Sequence, residues 1–194
     1  MTEPANPGRL IVLSGPSGAG KSTILERVIA RFAGRLRLSI SATTRPPRPG
    51  EQDRVHYYFL TPEEFQRRRA AGEFLECCEV FGRGHWYGTL HAEVGPSLAA
   101  GKWVLLEIDV EGARHVLAAY PEAISIFVRP SSVEELERRL RARGTEAEEA
   151  VQRRLGVARR ELAEAGRYQH QVINDTVDQA VARISQILEE SGLK

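Results

Sequence analysis

Gly15-Pro-Ser-Gly-Ala-Gly-Lys-Ser22 fits the spacing G-x-x-x-x-G-K-[ST] in full. Each residue type in that run has a task in phosphate chemistry. Gly15, Gly18 and Gly20 allow the backbone to curl tightly, so that the loop running through Pro16 points the N–H groups of Ser17, Ala19 and the residues beyond at an anion. Lys21 reaches the β- and γ-phosphates, and the Ser22 hydroxyl is placed to bind Mg²⁺, with Thr23 following in the same turn. A helix that begins near Lys21 adds the positive end of its dipole. By itself the motif indicates a nucleoside triphosphate or related phosphate ligand, and leaves ATPases, GTPases and kinases open.

A second set of anion-binding side chains lies downstream. Arg45 and Arg48 stand three apart in a loop stiffened by Pro46, Pro47 and Pro49. Two guanidinium forks held rigidly suit a phosphate monoester, and Tyr57 can add a hydroxyl to the same group. An isolated R-x-x-R is more often a solvated basic loop, so the surrounding residues must decide. Further arginines, Arg138, Arg139, Arg141 and Arg143, precede Gly144-Thr145, with Arg153 and Arg154 on the following helix. Most such charges on an Arg/Glu-rich helix are solvated i,i+4 partners. Phosphoryl transfer nevertheless needs positive groups that close over the moving phosphate.

The elements that must position these residues alternate. A buried strand over Arg9–Ser14 runs into the glycine loop, and Ile24, Leu25, Val28, Ile29 and Phe32 give the next helix its apolar stripe, with Gly34 at its stop. Leu36–Ser41 reads as a strand, Thr43–Asp53 as an ordered loop, and His56–Leu60 as a strand. Thr61-Pro-Glu-Glu64 opens a helix through an N-cap, a proline at the first helical position and a capping box. Phe74–Phe81 and Trp103–Asp109 are strands, Val110–Tyr120 a helix, Ala123–Val128 a strand. Helices then start at Ser131/Ser132 and at Thr145, and a last strand at His170–Ile173 precedes a helix over Thr176–Glu190. Repeated β-α units mean an α/β fold with a central parallel sheet flanked by helices; the middle segment is a small mixed α/β insert.

Bulk properties narrow the classes. The chain has 194 residues, enough for one domain with a real core. A formal net charge of +1 argues against a nucleic-acid footprint. Cys77 and Cys78 are adjacent and cannot staple distant segments; they read as reduced thiols in or beside a strand. No signal pattern opens the chain and no run approaches a membrane span, so a cytoplasmic protein without a membrane or obligatory protein partner is expected.

Ser39-Ile-Ser-Ala-Thr-Thr-Arg-Pro-Pro-Arg-Pro-Gly-Glu51 resembles the guanylate kinase hallmark S-x-T-T-R-x-P-R-x-G-E, Tyr87-Gly88-Thr89 resembles its Y-G-[ST] element, and Leu106-Glu-Ile-Asp-Val-Glu-Gly112 its acidic strand end. The resemblance runs from about Arg9 to Glu190. It implies a P-loop kinase that moves the γ-phosphoryl group of ATP, with Mg²⁺, to GMP and also dGMP. It implies a loose tail over 1–8 and one domain over 9–190, with core segments 9–37, 93–130 and 168–190, a GMP-binding region over about 38–92 and a helical lid over about 138–165. By the same resemblance Arg45, Arg48, Tyr57 and Tyr87 hold the GMP phosphate, and Glu76 reads guanine, whose N1–H and 2-amino group offer adjacent donors. Ser41 and Thr89 face the O6 edge. Asp109 lies near the guanine or the loop that holds it, and Glu107 near the magnesium waters. Arg139, Arg143 and Arg154 are lid arginines, and with Lys21 and Arg45 they form the catalytic set, Arg154 also reaching GMP. Asn174 contacts the ATP side.

Two features depart from the family pattern. Gly82-Arg-Gly-His-Trp86 makes a longer hairpin tip, in which His85 reads as a surface residue, and Arg54-Val55 stands where a glycine is common before Tyr57. Two other readings remain at this point: a guanylate-kinase-like binding module without catalysis, and a sister kinase for another small phosphate acceptor.

Overall fold

The computed structural model describes residues 8–79, 84–142 and 148–193. Its elements follow the expected alternation: β1 Leu10–Ser14, α1 Lys21–Arg31, β2 Leu36–Leu38, β3 Ala42–Thr43, β4 Tyr58–Phe59, α2 Pro62–Ala70, β5 Phe74–Glu79, β6 Trp86–Leu90, α3 His91–Ala99, β7 Trp103–Glu107, α4 Val110–Ala119, β8 Ile124–Arg129, α5 Val133–Ala142, α6 Glu148–Ala163, β9 His170–Ile173 and α7 Val177–Glu190. The strands form a five-stranded sheet in the order β2-β7-β1-β8-β9 and a four-stranded sheet in the order β4-β3-β6-β5. The pairs β2/β7 and β8/β9 are parallel, as the β-α alternation requires.

The chain divides into two compact units, Met1–Val12 with Leu36–Ala123, and Leu13–Arg35 with Ile124–Lys194. In the first, β7 is buried along Trp103–Leu106 and packs on α3, while α4 packs on β5. The four-stranded sheet belongs wholly to this unit. Its β5 and β6 run antiparallel with Glu76 opposite Thr89, and its β3 pairs antiparallel with β6 and parallel with β4. Phe65 of α2 stacks on Phe74 of β5 at 4.4 Å between ring centroids. In the second unit, Ile126–Val128 of β8 are fully buried, α1 packs on α7, and α7 packs on β9. There Leu136 and Leu140 of α5 form one apolar cluster with Val151, Leu155 and Ala158 of α6.

Local deviations have identifiable causes. The strand expected over Leu36–Ser41 ends at Leu38, and pairing resumes at Ala42–Thr43. The backbone between them passes from one sheet to the other: Ser39 still donates to the Leu105 carbonyl of β7, and the Ser41 carbonyl already accepts from Tyr58 of β4. Helix α3 was not among the expected elements, and it contains both Gly95 and Pro96, residues that disfavour a helix interior. Pro96 is the sixth residue of this short helix, where its missing N–H removes one bond of the helical ladder. The capping box at α2 is half made. Thr61 caps the Glu64 N–H, whereas the Glu64 carboxylate accepts from Arg67 and Arg68. Thr176 caps α7 as expected for a helix start there.

Candidate active site

The glycine loop follows β1 and opens α1, both in the expected order. Gly15 has φ 144 and Gly20 φ 84, values that favour glycine. Space demands glycine too: a Cβ at Gly15 would lie 2.0 Å from the Val128 carbonyl oxygen, and one at Gly20 2.5 Å from Asn174 Nδ2. Helices α2, α4 and α7 begin with side-chain caps from Thr61, Asp109 and Thr176. Helix α1 begins at Gly20, which has no side chain to cap it, and its first turn carries no acid. A helix start with neither a capping side chain nor an acid in its first turn is the kind that suits an anion.

Side chains from α5, α6 and the β9–α7 connection brace the loop. Asn174 is buried; its Nδ2 donates to the Ala19 carbonyl at 2.7 Å, and its own N–H donates to Arg129. Arg139 donates to the Asn174 carbonyl at 2.7 Å and to Glu135 at 2.6 Å. Arg154 donates to the Ser17 hydroxyl at 2.8 Å. Lys21 Nζ folds back on the carbonyls of Gly15, at 2.6 Å, and Pro16, at 3.2 Å. Ser22 and Thr23 are exposed at the first turn of α1. A cavity of about 310 Å³ is lined by Gly18, Gly20, Thr23, Arg138, Arg139, Ala142, Asn174, Asp175 and Val177. The structure thus brings Arg139, Arg154 and Asn174 together at the loop. Arg143 lies outside the described residues.

The other unit carries the second set of residues. Arg45 is the centre of its arginine loop, its side chain only 11% exposed. Its Nε donates to Tyr87 Oη at 3.1 Å, one terminal nitrogen donates to Glu51 at 2.9 Å, and the other to the Pro46 carbonyl at 2.7 Å. The guanidinium carbon also stands 5.5 Å from the Tyr57 ring centroid. Burial opposes the Arg45 charge, but the bonds to Glu51 and Tyr87 prevail and hold its pKa above the ordinary value. The Glu51 carboxyl is held below its ordinary range, first by the Arg45 hydrogen bond. Its second oxygen accepts from the Arg48 N–H at 2.7 Å, so Glu51 ties both ends of the loop while the Arg48 residue stays exposed. Tyr57 and Tyr87 meet edge to face at 6.0 Å. Burial first, then the Glu107 charge, raise the Tyr57 pKa, so the phenol is a donor at neutral pH. Glu107, the last residue of β7, therefore acts electrostatically on this phenol.

Glu76 is buried, 7% exposed, on β5. Its Oε1 accepts from Thr89 Oγ1 at 2.8 Å, which commits the Thr89 hydrogen to the carboxylate. Burial pushes the Glu76 pKa up to about 7, with the Asp109 charge adding to it. Asp109 caps α4, its Oδ1 accepting from Glu111 and Gly112, each at 2.8 Å, and its Oδ2 from Cys78 Sγ at 2.9 Å. Burial raises the Cys78 pKa, so the thiol stays protonated and inert. Ser41 lies just before β3, half-buried. The unusual Arg54 has φ 62, the left-handed conformation that a glycine would adopt without strain. His85 is half-buried at the start of β6; the rest of the longer tip, residues 80–83, lies outside the described residues.

Two acids escaped sequence reasoning. Glu51 carries a signal, since it closes the arginine motif. Glu93 carries none. It is buried in α3 and accepts from Arg37 at 2.7 Å, Tyr58 at 2.5 Å and the Ile40 N–H at 3.4 Å, partners 35 to 56 residues away.

Known proteins with this arrangement are numerous. The family model described as guanylate kinase matches residues 7–191. A guanylate kinase of Rhodopirellula baltica is 54% identical over 187 residues, covering 96% of this chain and 90% of the relative. One of Bifidobacterium longum is 49% identical with both chains covered in full. The crystal structure of guanylate kinase from Anaplasma phagocytophilum superposes with a TM-score of 0.79 at 31% identity, over 97% of this chain and 88% of that one. With its phosphate loop, paired arginines and buried strand glutamate on one α/β framework, this chain belongs to the guanylate kinase family.

Proposed function

We propose that this protein transfers the γ-phosphoryl group of ATP to GMP, and to dGMP, giving ADP and the nucleoside diphosphate, in the cytoplasm. The observation that carries the reading is Glu76. It is a carboxylate on a buried strand position, oriented by Thr89, and its acceptor oxygens match the adjacent N–H donors of guanine and repel the N1 lone pair of adenine. Burial makes each mispaired polar atom costly, which is the physical source of base discrimination.

In this reading the glycine loop and the start of α1 cradle the donor phosphates, and Lys21 exchanges the carbonyls of Gly15 and Pro16 for the β- and γ-phosphates. Thr23, Arg139 and Asn174 line the donor cavity. Arg139, Arg143 and Arg154, of the lid segment 138–165, supply positive charge as it spreads over the moving group. Arg45, Arg48, Tyr57 and Tyr87, of the region 38–92, hold the acceptor phosphate; Glu51 keeps the Arg45 fork aimed, and the Tyr57 phenol donates. Ser41 and Asp109 stand at the guanine. No catalytic base is invoked, because positioning and charge supply most of the acceleration in this chemistry.

The donor set also fits a magnesium ion. Among the described residues no three His, Cys, Asp or Glu side chains cluster into a cage. Ser22 offers one hydroxyl at the loop, the sparse protein ligation that Mg²⁺ accepts when phosphates complete its shell. When bound, the ion would neutralise charge on the β- and γ-oxygens, with Ser22 as ligand and Glu107 reaching its waters.

A coupled assay of ADP formation with GMP, dGMP, AMP and UMP tests the proposal. Turnover should be confined to GMP and dGMP, and Lys21→Ala should lower it by ~100-fold or more without loss of fold. Equal turnover with AMP, or no turnover with any monophosphate, would overturn it.

A further inference from the structure

Helix α4 contains a glycine that its backbone does not need. Gly112 sits in the first turn, with helical geometry that alanine adopts more readily than glycine does. It is buried, and its N–H is one of the two that cap onto Asp109 Oδ1. What a side chain would meet there is specific. A Cβ at 112 would lie 2.7 Å from Glu76 Oε2 and 3.2 Å from Glu76 Cδ; the next neighbour, Asp109 Oδ1, is at 3.7 Å. The Glu76 Oε2 contact is too close for carbon and the Cδ contact is tight; the third is ordinary van der Waals contact. The atom that would yield is therefore the end of the Glu76 side chain and not backbone. On its other side that carboxylate is held by Thr89 Oγ1 at 2.8 Å.

We propose that Gly112 is a positioning residue for base recognition: the missing side chain leaves the space in which the Glu76 carboxylate stays seated on Thr89. This rests on the reading of Glu76 as the group that binds guanine. A methyl at 112 pushes the carboxylate off its Thr89 bond and away from the position that accepts guanine's two donors. The fold survives, since a carboxylate end can swing aside. The Thr89 bond also holds the Glu76 pKa down against burial, so a carboxyl displaced from it while still buried keeps its proton more readily and accepts less.

The test is a double-mutant cycle on the full chain, with GMP and ATP affinities by calorimetry and Tm by thermal unfolding. Gly112→Ala should weaken GMP binding about tenfold or more and leave ATP binding unchanged. In the Glu76→Ala background the same change should leave GMP affinity unmoved and should not lower Tm, because the group it displaces is gone and alanine favours the helix. Wild-type GMP affinity in Gly112→Ala, or an equal penalty with and without the Glu76 carboxylate, would overturn the proposal. If Gly112→Ala does not fold, recovery of folding in Glu76→Ala, Gly112→Ala supports the contact, and failure of both overturns it. Undiminished GMP affinity in Glu76→Ala alone would instead sink the reading of Glu76 and with it the functional half of the proposal, while the Tm comparison still judges the contact.

Discussion

The side-chain amide of Asn174 donates to the Ala19 carbonyl at 2.7 Å, joining the end of β9 to the phosphate loop across 155 residues of sequence. Asn174 is buried, and its carbonyl is in turn held by Arg139. Asn174→Ala should leave the Ala19 carbonyl with an unmet hydrogen bond, a loss of ~1–3 kcal/mol. The loop would also lose the brace that sets its curvature. We expect a lower Tm together with a raised KM for ATP and a GMP KM close to wild type. Steady-state kinetics with each substrate varied in turn checks this. A raised GMP KM with unchanged ATP KM would show that the amide serves something other than the loop.

Arg45 and Arg48 look alike in sequence, but their environments differ. The Arg45 side chain is mostly buried and bonded to Glu51 and Tyr87, whereas the Arg48 residue is exposed and Glu51 holds it through its N–H. Arg45→Ala strips a partner from Glu51 and Tyr87, so it should lower Tm and raise the GMP KM together. Arg48→Ala should raise the GMP KM about tenfold, by loss of a charged hydrogen bond worth ~1.5–3 kcal/mol, and leave Tm unchanged. Thermal unfolding beside kinetics separates the two; identical Tm losses would mean that the Glu51 clamp is not what sets them apart.

Glu76 should make stability and GMP affinity respond to pH in opposite directions. Its carboxyl has a pKa of about 7 when folded, against an ordinary 4.5, and burial is the main cause. Between those values the folded protein holds a proton that the unfolded chain has released. Stability therefore falls as pH rises from about 4.5 to 7. Above that window the buried charge costs up to ~3 kcal/mol. Glu76→Gln should accordingly be more stable than wild type at pH 8 by ~1–3 kcal/mol, with the gap closing towards pH 5. Guanine needs the ionised form, so GMP affinity should rise with pH through the same window in wild type. Because the GMP phosphate also titrates near pH ~6, the quantity to read is the difference between wild type and Glu76→Gln. Parallel profiles for the two proteins would place the titration elsewhere.

Much of this was legible in the residues because it depends on local chemistry. The phosphate loop is a contiguous run whose glycines, lysine and serine have fixed tasks, and the α1 stripe after it has helical period by itself. Alternating buried strands and amphipathic helices likewise imposed the α/β class, since each apolar face must be covered by the next element. What only the tertiary structure decided are the relationships with no sequence spacing. Glu93 is an unremarkable helix glutamate until packing brings Arg37 and Tyr58 to it. Gly112 is one more helix residue until the fold sets Glu76 2.7 Å from its missing Cβ. Arg54 stands where a glycine is common, and only the backbone shows that the chain still takes the left-handed turn there. The physical reason is common to all three. Composition and period depend on neighbours along the chain, whereas burial, hydrogen bonding and excluded volume depend on neighbours in space.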